Sequence, residues 1–418
     1  MFFNECPHCK PVGRDKFHLK EKIGKLFSWM ENMFGFKKLF PFSWLERFEN
    51  YFLKIVLNVL NFFGIARFRD VREVDNEKIR NRSRVVVKEC LRRGYSIRLL
   101  FFFGKETEIF KFVGFGESFL FWSLPLNFLI NPLNDRGGPY FQDKALFKKF
   151  LRQYDYSRPK GLVCTSFEEG LEAGKKISKP LVVKPADKSL SVHVSWGIKN
   201  KEELKKAIRI AKKVSYKYIV EEQVDGFVHR ALVVRGNFVS CVRKEPPTVE
   251  GDGKSSVLEL IKKKNNEPER VSRHNKAGTL HKIEVNQFLQ DYINDQGFKL
   301  GDIPKKGQIV ELHPKDVLLA GADVASVNNI SDKCIETLEK LSKKIGEPIL
   351  GIDFIAENSK NSSEVQSISI LEANNNPYID MHHFPSEGKP GNVAKYIIDV
   401  LELKIEENES NLQRQNIV

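Results

Sequence analysis

The sequence predicts an α/β (α+β) fold, and three of its patterns carry that prediction. Residues 331–345 have the apolar spacing of an amphipathic helix, and an apolar strand follows directly. Residues 76–115 predict one helix and then two strands rich in Phe, Ile and Val. Residues 218–245 predict three strands joined by tight turns at Asp225–Gly226 and Gly236–Asn237. Helices that alternate with strands indicate sheets covered by helices.

Composition places the chain among soluble, basic proteins. Its 418 residues are 41% hydrophobic and 29% charged, which is enough for two or three domains. The net charge of +14 favours anionic partners, but no nucleic-acid-binding signature occurs, so no specific nucleic acid is expected. Six cysteines, scattered apart from one pair, indicate a reducing compartment. The start of the chain lacks a secretory pattern, so we expect a cytoplasmic location.

Three oxygen-bearing side chains lie on two predicted neighbouring strands. Asp353 is in the strand at 349–356, and Glu372 and Asn374 are two residues apart in the strand at 367–374, so both point to the same face. Two carboxylates and a carboxamide suit a hard cation such as Mg²⁺, with Mn²⁺ as a substitute, that takes its other ligands from phosphates. The alternative is a solvated hairpin with acidic residues.

Basic side chains upstream complement this acidic set. Lys184 ends an apolar strand that Pro185 stops, and Lys144 begins an amphipathic helix. Arg230 follows on a later strand and could hold phosphate. The backbone at 221–224 ends a strand and could pair with an adenine edge. The alternative interpretation of Lys144 and Lys184 is that they are ordinary surface lysines. The alternative for residues 218–245 is a plain three-stranded sheet with no part in nucleotide binding.

With these residues in place, the segment from 144 to 402 resembles the ATP-grasp superfamily, and in particular the ATP-grasp module of cyanophycin synthetase. Glutathione synthetases and D-alanine:D-alanine ligases are similar in the same core but lack the insert around 251–301. The matching blocks occur in order along the chain: VVKP around Lys184, IVEEQVDGFVHRALVV from Ile219, VEGDGKSSVLELI from Val249, IPKKGQIVEL from Ile303, and MHHFPSEGKPGNVAKYIIDVL from Met381.

The resemblance implies an ATP-dependent ligase that joins a carboxylate to an amine through an acyl phosphate, with an amino acid or peptide as substrate. It implies ATP and Mg²⁺ as cofactors. The residues it assigns are Lys184 and Arg230 as catalytic, Lys144, Lys184, Glu221, Glu222, Gln223 and Val224 for ATP, Asp353, Glu372 and Asn374 for the metal, and His382, Ser386 and Gly388 for the substrate.

Several positions depart from the pattern of the superfamily. The lid at 187–193 has no glycine, so serine hydroxyls would replace backbone N–H groups near phosphate. Val228 replaces an acidic residue, and Asp380 replaces an arginine, which inverts the charge offered to the acceptor. The other departures are His313, Leu318 and Leu319. The altered residues on the substrate side predict a substrate other than the polymer that cyanophycin synthetase builds. The lid without glycine and Val228 favour the alternative function, a nucleotide-binding module without turnover that docks to a partner or membrane.

The segment after the last predicted strand, 381–388, is expected to be a substrate-contacting loop. Neighbouring residues of a strand point to opposite faces. His382 and His383 are therefore not expected to bind one metal ion.

The N-terminal region carries two further patterns. Cys6 and Cys9 flank His8, and His18 follows. A structural zinc site usually needs four ligands, and no second CxxC pair supplies the others. We therefore interpret Cys6 and Cys9 as incidental thiols, with a partial metal site as the alternative. Residues 25–68 are aromatic and basic, and they predict a helix packed on the protein or a partner, with a membrane surface as the alternative. The expected regions are this segment at 1–69, an α/β domain at 70–140, the ATP-grasp domain at 141–404, with a lid at 180–226 and an insert at 246–305, and a disordered tail at 405–418.

Overall fold

The structure is a computed structural model of the chain. It describes residues 56, 59–114, 117–122, 128–130, 139–141, 143–188, 191–275, 277–357 and 365–415. Cys6, Cys9, His8 and His18 and most of the aromatic segment at 25–68 lie outside these residues, so their predicted roles stay predictions. In the described part of that segment, the Phe62 side chain is 85% exposed. No helix within the described ranges is both long and apolar enough to cross a membrane.

The N-terminal part of the described chain is an antiparallel sheet of five strands with one helix packed on it, as the sequence predicts for 76–115. The helix buries Val85, Val86 and Cys90 in the same core as Ile97 and Phe112 of the sheet. The elements are β1 Ala66–Asp70, α1 Asn81–Arg92, β2 Ser96–Phe102, β3 Lys105–Gly114, β4 Glu117–Trp122 and β5 Phe128–Ile130, and the strands follow that order in the sheet.

A second unit follows, with four strands in the order β6-β9-β7-β8. Two helices pack on it, and a capping box of Ser166 and Glu169 starts the first of them. Leu181, Tyr218 and Ile208 lie in its core. The elements are α2 Lys144–Gln153, β6 Gly161–Cys164, α3 Phe167–Lys176, β7 Leu181–Pro185, β8 Ser195–Ile198, α4 Lys201–Lys212 and β9 Tyr218–Glu222.

The central sheet begins with a hairpin whose turn residues, Arg235 and Gly236, both have positive φ, one residue before the predicted turn. An insert with its own small core then interrupts it. The remaining elements are β10 Gly226–Val234, β11 Asn237–Glu245, β12 Thr248–Glu250, α5 Val257–Asn265, β13 Arg270–Val271, β14 Leu280–His281, α6 Gln287–Asp295, β15 Ile309–Glu311, β16 Asp323–Val327, α7 Asp332–Ile345, β17 Ile349–Glu357, β18 Ile368–Asn374, α8 Asp380–His383 and α9 Ala394–Gln415.

The central sheet has the antiparallel order β16-β11-β10-β17-β18. β9 does not belong to it, because β9 pairs with β6 and β7. The alternative prediction of a plain three-stranded sheet over 218–245 is therefore wrong. The chain crosses between two sheets at residues 223–225, which puts the predicted hinge between them.

The two faces of the central sheet have different partners. Ala231, Leu350 and Ile352 face α7, whereas Leu232 and Ile349 pack into the core of the N-terminal sheet. Successive residues of a strand point to opposite faces. Arg230 and Asp353 consequently lie on the face turned toward the N-terminal sheet.

The C-terminal helix α9 completes this shared core. Ile397 and Leu401 are buried together with α1 and β2, and Arg93 after α1 bonds to Asp399 and Glu402, both at 2.6 Å. The helix continues to Gln415, where the sequence analysis expected a disordered tail from 405. The reason is local: residues 405–415 include no Gly or Pro, and Glu, Gln, Arg and Leu, which favour helix, make up most of them.

Candidate functional site

A row of charged side chains crosses three neighbouring strands of the central sheet. Arg230 lies directly opposite Asp353, and Asp353 lies directly opposite Glu372. Arg230 donates two hydrogen bonds to Asp353 from one edge of its guanidinium, Nε to Oδ1 at 2.5 Å and Nη2 to Oδ2 at 2.6 Å. The predicted strand positions and shared face are confirmed. Residues directly opposite in adjacent strands share a face of the sheet, so the row presents its charges to one cleft.

Asp353, Glu372 and Asn374, the predicted metal ligands, occupy one end of this row. Asn374 Nδ2 is 3.5 Å from Glu372 Oε1. Burial would raise the pKa of Glu372, but Lys144, Arg230 and Lys244 outweigh it and lower that pKa to about 2. Glu372 is therefore ionised at neutral pH, and the oxygen donors fit a hard cation. Across the described residues, no group of three or more His, Cys, Asp or Glu side chains could hold a metal ion.

The two predicted phosphate lysines are both paired with carboxylates. Lys144 Nζ is 3.0 Å from Glu372 Oε2 and donates to the carbonyl oxygen of Lys188 at 2.7 Å. Lys184 Nζ is 2.5 Å from Glu221 Oε1. A charged ligand that uses these ammonium groups must exchange with, or share them with, the carboxylates already present.

Glu221 is the centre of a buried charge cluster that the sequence analysis did not find. Its second oxygen accepts from Lys148 Nζ at 2.8 Å, so one carboxylate bridges two lysines. Burial alone would raise the pKa of Glu221, yet Lys184 and Lys148 lower it. Gly161 lies opposite Glu221, and a Cβ at Gly161 would come within 2.5 Å of the Glu221 Cβ. Glycine is thus required where β6 crosses this carboxylate.

The predicted adenine hinge, residues 221–224, begins within the last two residues of β9. The Glu222 N–H donates to the Lys160 carbonyl and the Gln223 N–H to the Pro180 carbonyl, both at 2.9 Å. The Gln223 side chain accepts from the Gly197 N–H at 2.7 Å. These bonds fix the hinge against the four-stranded sheet, and Val224 is the next residue toward the cleft between the two sheets.

The lid residues that replace glycine adopt backbone conformations that glycine favours. Ser191 and His193 have φ of 56° and 54°. This left-handed region is unfavourable for side chains with a Cβ. The ring Nδ1 of His193 lies 2.7 Å from the Ile210 carbonyl oxygen, and Ser215 Oγ donates to Asp187 at 2.5 Å. These contacts hold the ends of a lid that the sequence leaves without glycine.

A cavity of about 300 Å³ adjoins the charged row on the side of the N-terminal sheet. Arg230 and Lys244 line one wall, and Lys244 Nζ lies 3.5 Å from Asp316 and 3.9 Å from Asp353. The cavity is also lined by residues 80–82 at the start of α1, by Tyr378, Asp380 and Met381, and by six residues of the insert: Arg273, His274, Asn275, Gly278, Thr279 and His281.

The three predicted substrate residues have structural partners instead of lining this cavity. His382 is buried in α8, so the strand orientation assumed for His382 and His383 is wrong. Its Nδ1 lies 3.0 Å from Ser240 Oγ, and burial lowers its pKa to about 3. Ser386 Oγ bonds to both the N–H and the carbonyl of Val324, at 2.9 Å each. Gly388 has a φ of 85° and lies against Ser326.

The sequence analysis also missed Lys148, Lys244 and Thr279 as members of this region. Lys148 had a signal, because it is four residues after Lys144 and therefore on the same helix face. Lys244 had a weaker signal in the sequence. It lies two residues beyond Val242, which is opposite Arg230, so both side chains point to the same face of the sheet. Thr279 has no local signal in the sequence.

Comparison with known proteins adds sequence relatives. No family model matches the chain. It is 33% identical to a cyanophycin synthetase of Synechocystis over 264 residues, 62% of this chain and 30% of that protein. It is 25% identical to a glutathione biosynthesis bifunctional protein of Mannheimia succiniciproducens over 349 residues, 81% of this chain and 44% of that protein. The chain thus spans about a third to under a half of the length of these relatives.

A solved structure shares the fold. A bifunctional glutathione synthetase from Pasteurella multocida superposes with a TM-score of 0.59 at 21% identity, over 79% of this chain and 44% of that one. The sequence similarity to cyanophycin synthetases and this shared fold confirm the predicted resemblance of the chain to the ATP-grasp superfamily.

Proposed function

We propose that the chain is an ATP-dependent carboxylate–amine ligase that forms an amide bond through an acyl phosphate. The observation that carries the proposal is the row of Arg230, Asp353 and Glu372 on one face of the central sheet, with Lys144 against its end. Phosphoryl transfer depends mainly on positioning and on cations that offset charge on the transferred group. A row of fixed cations and oxygen ligands supplies both.

In the proposed reaction, a substrate carboxylate oxygen bonds to the γ-phosphorus of ATP as the bond from that phosphorus to the bridging oxygen breaks, and ADP leaves. The amine nitrogen then bonds to the acyl carbon, the bond from that carbon to the phosphate oxygen breaks, and the amine releases a proton. No side chain of the protein forms a covalent bond in either step.

The roles proposed for the chain's own residues follow from their contacts. Lys184 and Lys144 offset charge on the phosphates, and Arg230 holds Asp353 in place while its guanidinium lies next to the transferred group. Val224 contacts the adenine edge, because the N–H groups of Glu222 and Gln223 are used within the protein. Asp353, Glu372 and Asn374 would hold Mg²⁺, which offsets phosphate charge when bound.

The substrates proposed are an amino acid or peptide carboxylate and an amine. The relatives named above support the class, since their names concern cyanophycin and glutathione synthesis. The activity of this chain remains a proposal, as the chain spans under half of each relative.

The test is release of ADP by the purified full chain with ATP, Mg²⁺ and a panel of amino acids and dipeptides. We expect turnover that falls at least 100-fold in Lys184→Met and Glu372→Gln, because each removes a charge from the phosphate site. Lys340→Met is the matched control, since Lys340 is an exposed lysine on α7 whose Nζ lies 2.7 Å from the exposed Glu336. Full turnover in Glu372→Gln would contradict the metal assignment.

One alternative function has an observation in its favour. Lys144 and Lys184 are already neutralised by Glu372 and Glu221, and the lid lacks glycine. Both observations are consistent with a module that binds a nucleotide but does not catalyse a reaction. It predicts ATP binding by calorimetry that Lys184→Met weakens, together with no ADP release from any substrate of the panel.

A further inference from the structure

A second cavity, of about 800 Å³, shares no lining residue with the cavity beside the charged row. It is lined by α2, by the loop at 155–160 that follows α2, and by β6. Five of its twelve lining residues are Lys or Arg, and Asp155 is the only acidic one. The functional site described above does not explain this concentration of positive charge.

Most of these cations have no acidic partner. Lys148 pairs with Glu221 at 2.8 Å. Within the described part of the chain, no carboxylate forms an ion pair with any of the other four, which are Lys149, Arg152, Arg158 and Lys160. Lys149, Arg152 and Lys160 are also exposed. Positive charge that is not neutralised within the protein favours an anionic ligand at this cavity.

The cavity also contains an open edge of a β-sheet. β6 is the end strand of the four-stranded sheet, and it pairs only with β9. The carbonyl of Lys160 accepts from the Glu222 N–H at 2.9 Å, so Lys160 directs its backbone groups toward β9. Backbone groups of an antiparallel strand alternate in direction. The N–H and C=O groups of Gly161 and Val163 therefore point away from β9, along the edge that lines the cavity.

The two edges of the central sheet are closed by contrast. On β18, the Ile370 N–H donates to the Ser157 carbonyl at 2.9 Å, and on β16 the Ser326 N–H donates to the Glu387 carbonyl at 2.9 Å. Proteins usually cover such edges, because unpaired N–H and C=O groups can pair with another strand. Among the described residues, no hydrogen bond reaches the backbone of Gly161 or Val163 from the open side of β6.

The side chains along the edge and the charge around it limit what can bind there. Leu162 and Val163 are each 43% exposed, so an added strand would also gain apolar contacts. A second copy of this chain is disfavoured at the edge, since each copy would bring the same cations. Nucleic acid or a phosphate polymer would use the cations but would leave the strand edge without a partner.

We propose that this cavity and the outer edge of β6, together called the β6 groove (residues 145–163), bind an extended acidic segment of a partner protein. The segment adds to the four-stranded sheet as a fifth strand, with its backbone paired to Gly161 and Val163. Its carboxylates contact Lys149, Arg152 and Lys160. Addition of a strand to an open sheet edge is a common mode of peptide recognition, in which the backbone supplies affinity and the side chains supply specificity.

The experiment measures binding of capped pentapeptides to the full chain by calorimetry. Glu-Val-Glu-Val-Glu and Val-Glu-Val-Glu-Val together place carboxylates on either face of the added strand, and Lys-Val-Lys-Val-Lys reverses the charge. We expect at least one acidic peptide to bind at least tenfold tighter than the basic one. Binding of neither acidic peptide would overturn the proposal.

Two pairs of variants separate the strand edge from the charge. Val163→Pro removes the outward N–H and is compatible with an edge strand, and it should weaken peptide binding at least tenfold. Val163→Thr keeps that N–H and should bind as the unaltered chain does. Arg152→Glu with Lys160→Glu should also weaken binding at least tenfold.

The matched control for charge is Lys175→Glu with Lys206→Glu, which makes the same change in net charge at two exposed lysines of α3 and α4 outside the groove. It should leave peptide binding unchanged. Equal losses in the two double variants would mean that only the net charge of the chain matters, and would contradict the assignment of the site.

If Val163→Pro does not fold, N-methylated peptides test the strand edge on the unaltered chain. The tighter-binding peptide is methylated on the backbone nitrogens of residues 1, 3 and 5, or of residues 2 and 4. Only one of these sets faces β6, so one peptide should lose binding and the other should keep it. Equal effects of the two sets would contradict an added strand.

Inorganic polyphosphate and a single-stranded oligonucleotide are the competing anions. If they bind as tightly as the acidic peptide, and Val163→Pro or N-methylation has no effect, the groove is a general anion-binding surface and the proposal is wrong. ADP release does not enter any of these measurements. The outcome is therefore independent of the proposed ligase function.

Discussion

Arg230 and Asp353 lie directly opposite each other on neighbouring strands and are joined by two hydrogen bonds of 2.5 and 2.6 Å, with both side chains buried. A buried ion pair adds little to stability over a well-packed apolar pair, but the loss of one partner leaves a buried charge uncompensated. Replacing one of the two residues should therefore destabilise the fold, whereas replacing both with apolar residues should cost much less stability.

The first prediction concerns this pair. Arg230→Met should lower the free energy of unfolding by about 3–5 kcal/mol, the range for breaking a buried ion pair at one partner. The double variant Arg230→Met with Asp353→Leu should recover most of that loss. Denaturant unfolding of the single and double variants measures the coupling. Additive losses in the double variant would mean that the two side chains act independently.

The second prediction concerns the pH dependence of Glu221. Its folded pKa is lowered, so its contribution to stability is full above the unfolded pKa of about 4.3 and is lost as pH falls through the folded value. Glu221→Gln should thus lower the melting temperature at pH 7, and the gap from the unaltered chain should narrow below about pH 4.3. Glu336→Gln, an exposed carboxylate that pairs with Lys340, is the control and should show no comparable gap. If the difference in melting temperature between Glu221→Gln and the unaltered chain did not change with pH, Glu221 would not stabilise the fold through its negative charge.

The third prediction concerns divalent metal. A chelator should abolish ADP release by the unaltered chain, and Mg²⁺ or Mn²⁺ should restore it, because phosphate charge then has its counter-ion again. Glu372→Gln should need a higher Mg²⁺ concentration for half-maximal rate, since Glu372 is ionised with a pKa of about 2 and offers a full negative charge. A titration of rate against Mg²⁺ for both proteins measures this shift. An unchanged half-maximal concentration would remove Glu372 from the metal site.

The fourth prediction concerns the stability of the ligand-free chain. The folded pKa of Asp380 is raised, so the contribution of this group to stability is full below the unfolded pKa of about 3.9 and is lost as pH rises through the folded value. Asp380→Asn should therefore be more stable than the unaltered chain at pH 7, because it removes a buried charge and keeps the acceptor for Thr279. Denaturant unfolding at pH 7 and at pH 3.5 checks it. A less stable variant at pH 7 would show that the charge of Asp380 has a structural role.

The parts of the fold that sequence reasoning reached were those with local signals. The strands that carry Asp353 and Glu372, the helix that begins at Lys144 and the hairpin at Gly236 all follow from apolar spacing and turn residues within a short window. The charged row was not predicted, because Arg230 and Asp353 are 123 residues apart and only the pairing of β10 with β17 sets them opposite each other.

The parts it missed depend on contacts between distant segments. Asn81 bonds to Thr279, 198 residues away, and Thr279 bonds to Asp380, a further 101 residues away. No window of sequence contains such a chain of contacts. The sheet to which β9 belongs is likewise decided by its partners. The short helix α8 includes residues 381–383, which the sequence analysis placed in a loop.

The core shared by the N-terminal sheet and α9 also has a consequence for synthesis of the chain. Phe112 and Ile97 are buried together with Ile397 and Leu401. At about 5–20 residues per second, a ribosome needs roughly 15–60 s to pass from the first group to the second. During that interval the sheet and α1 lack the residues of α9 that share their core in the folded chain. The N-terminal part of the chain can therefore complete its core only after translation has reached the last helix.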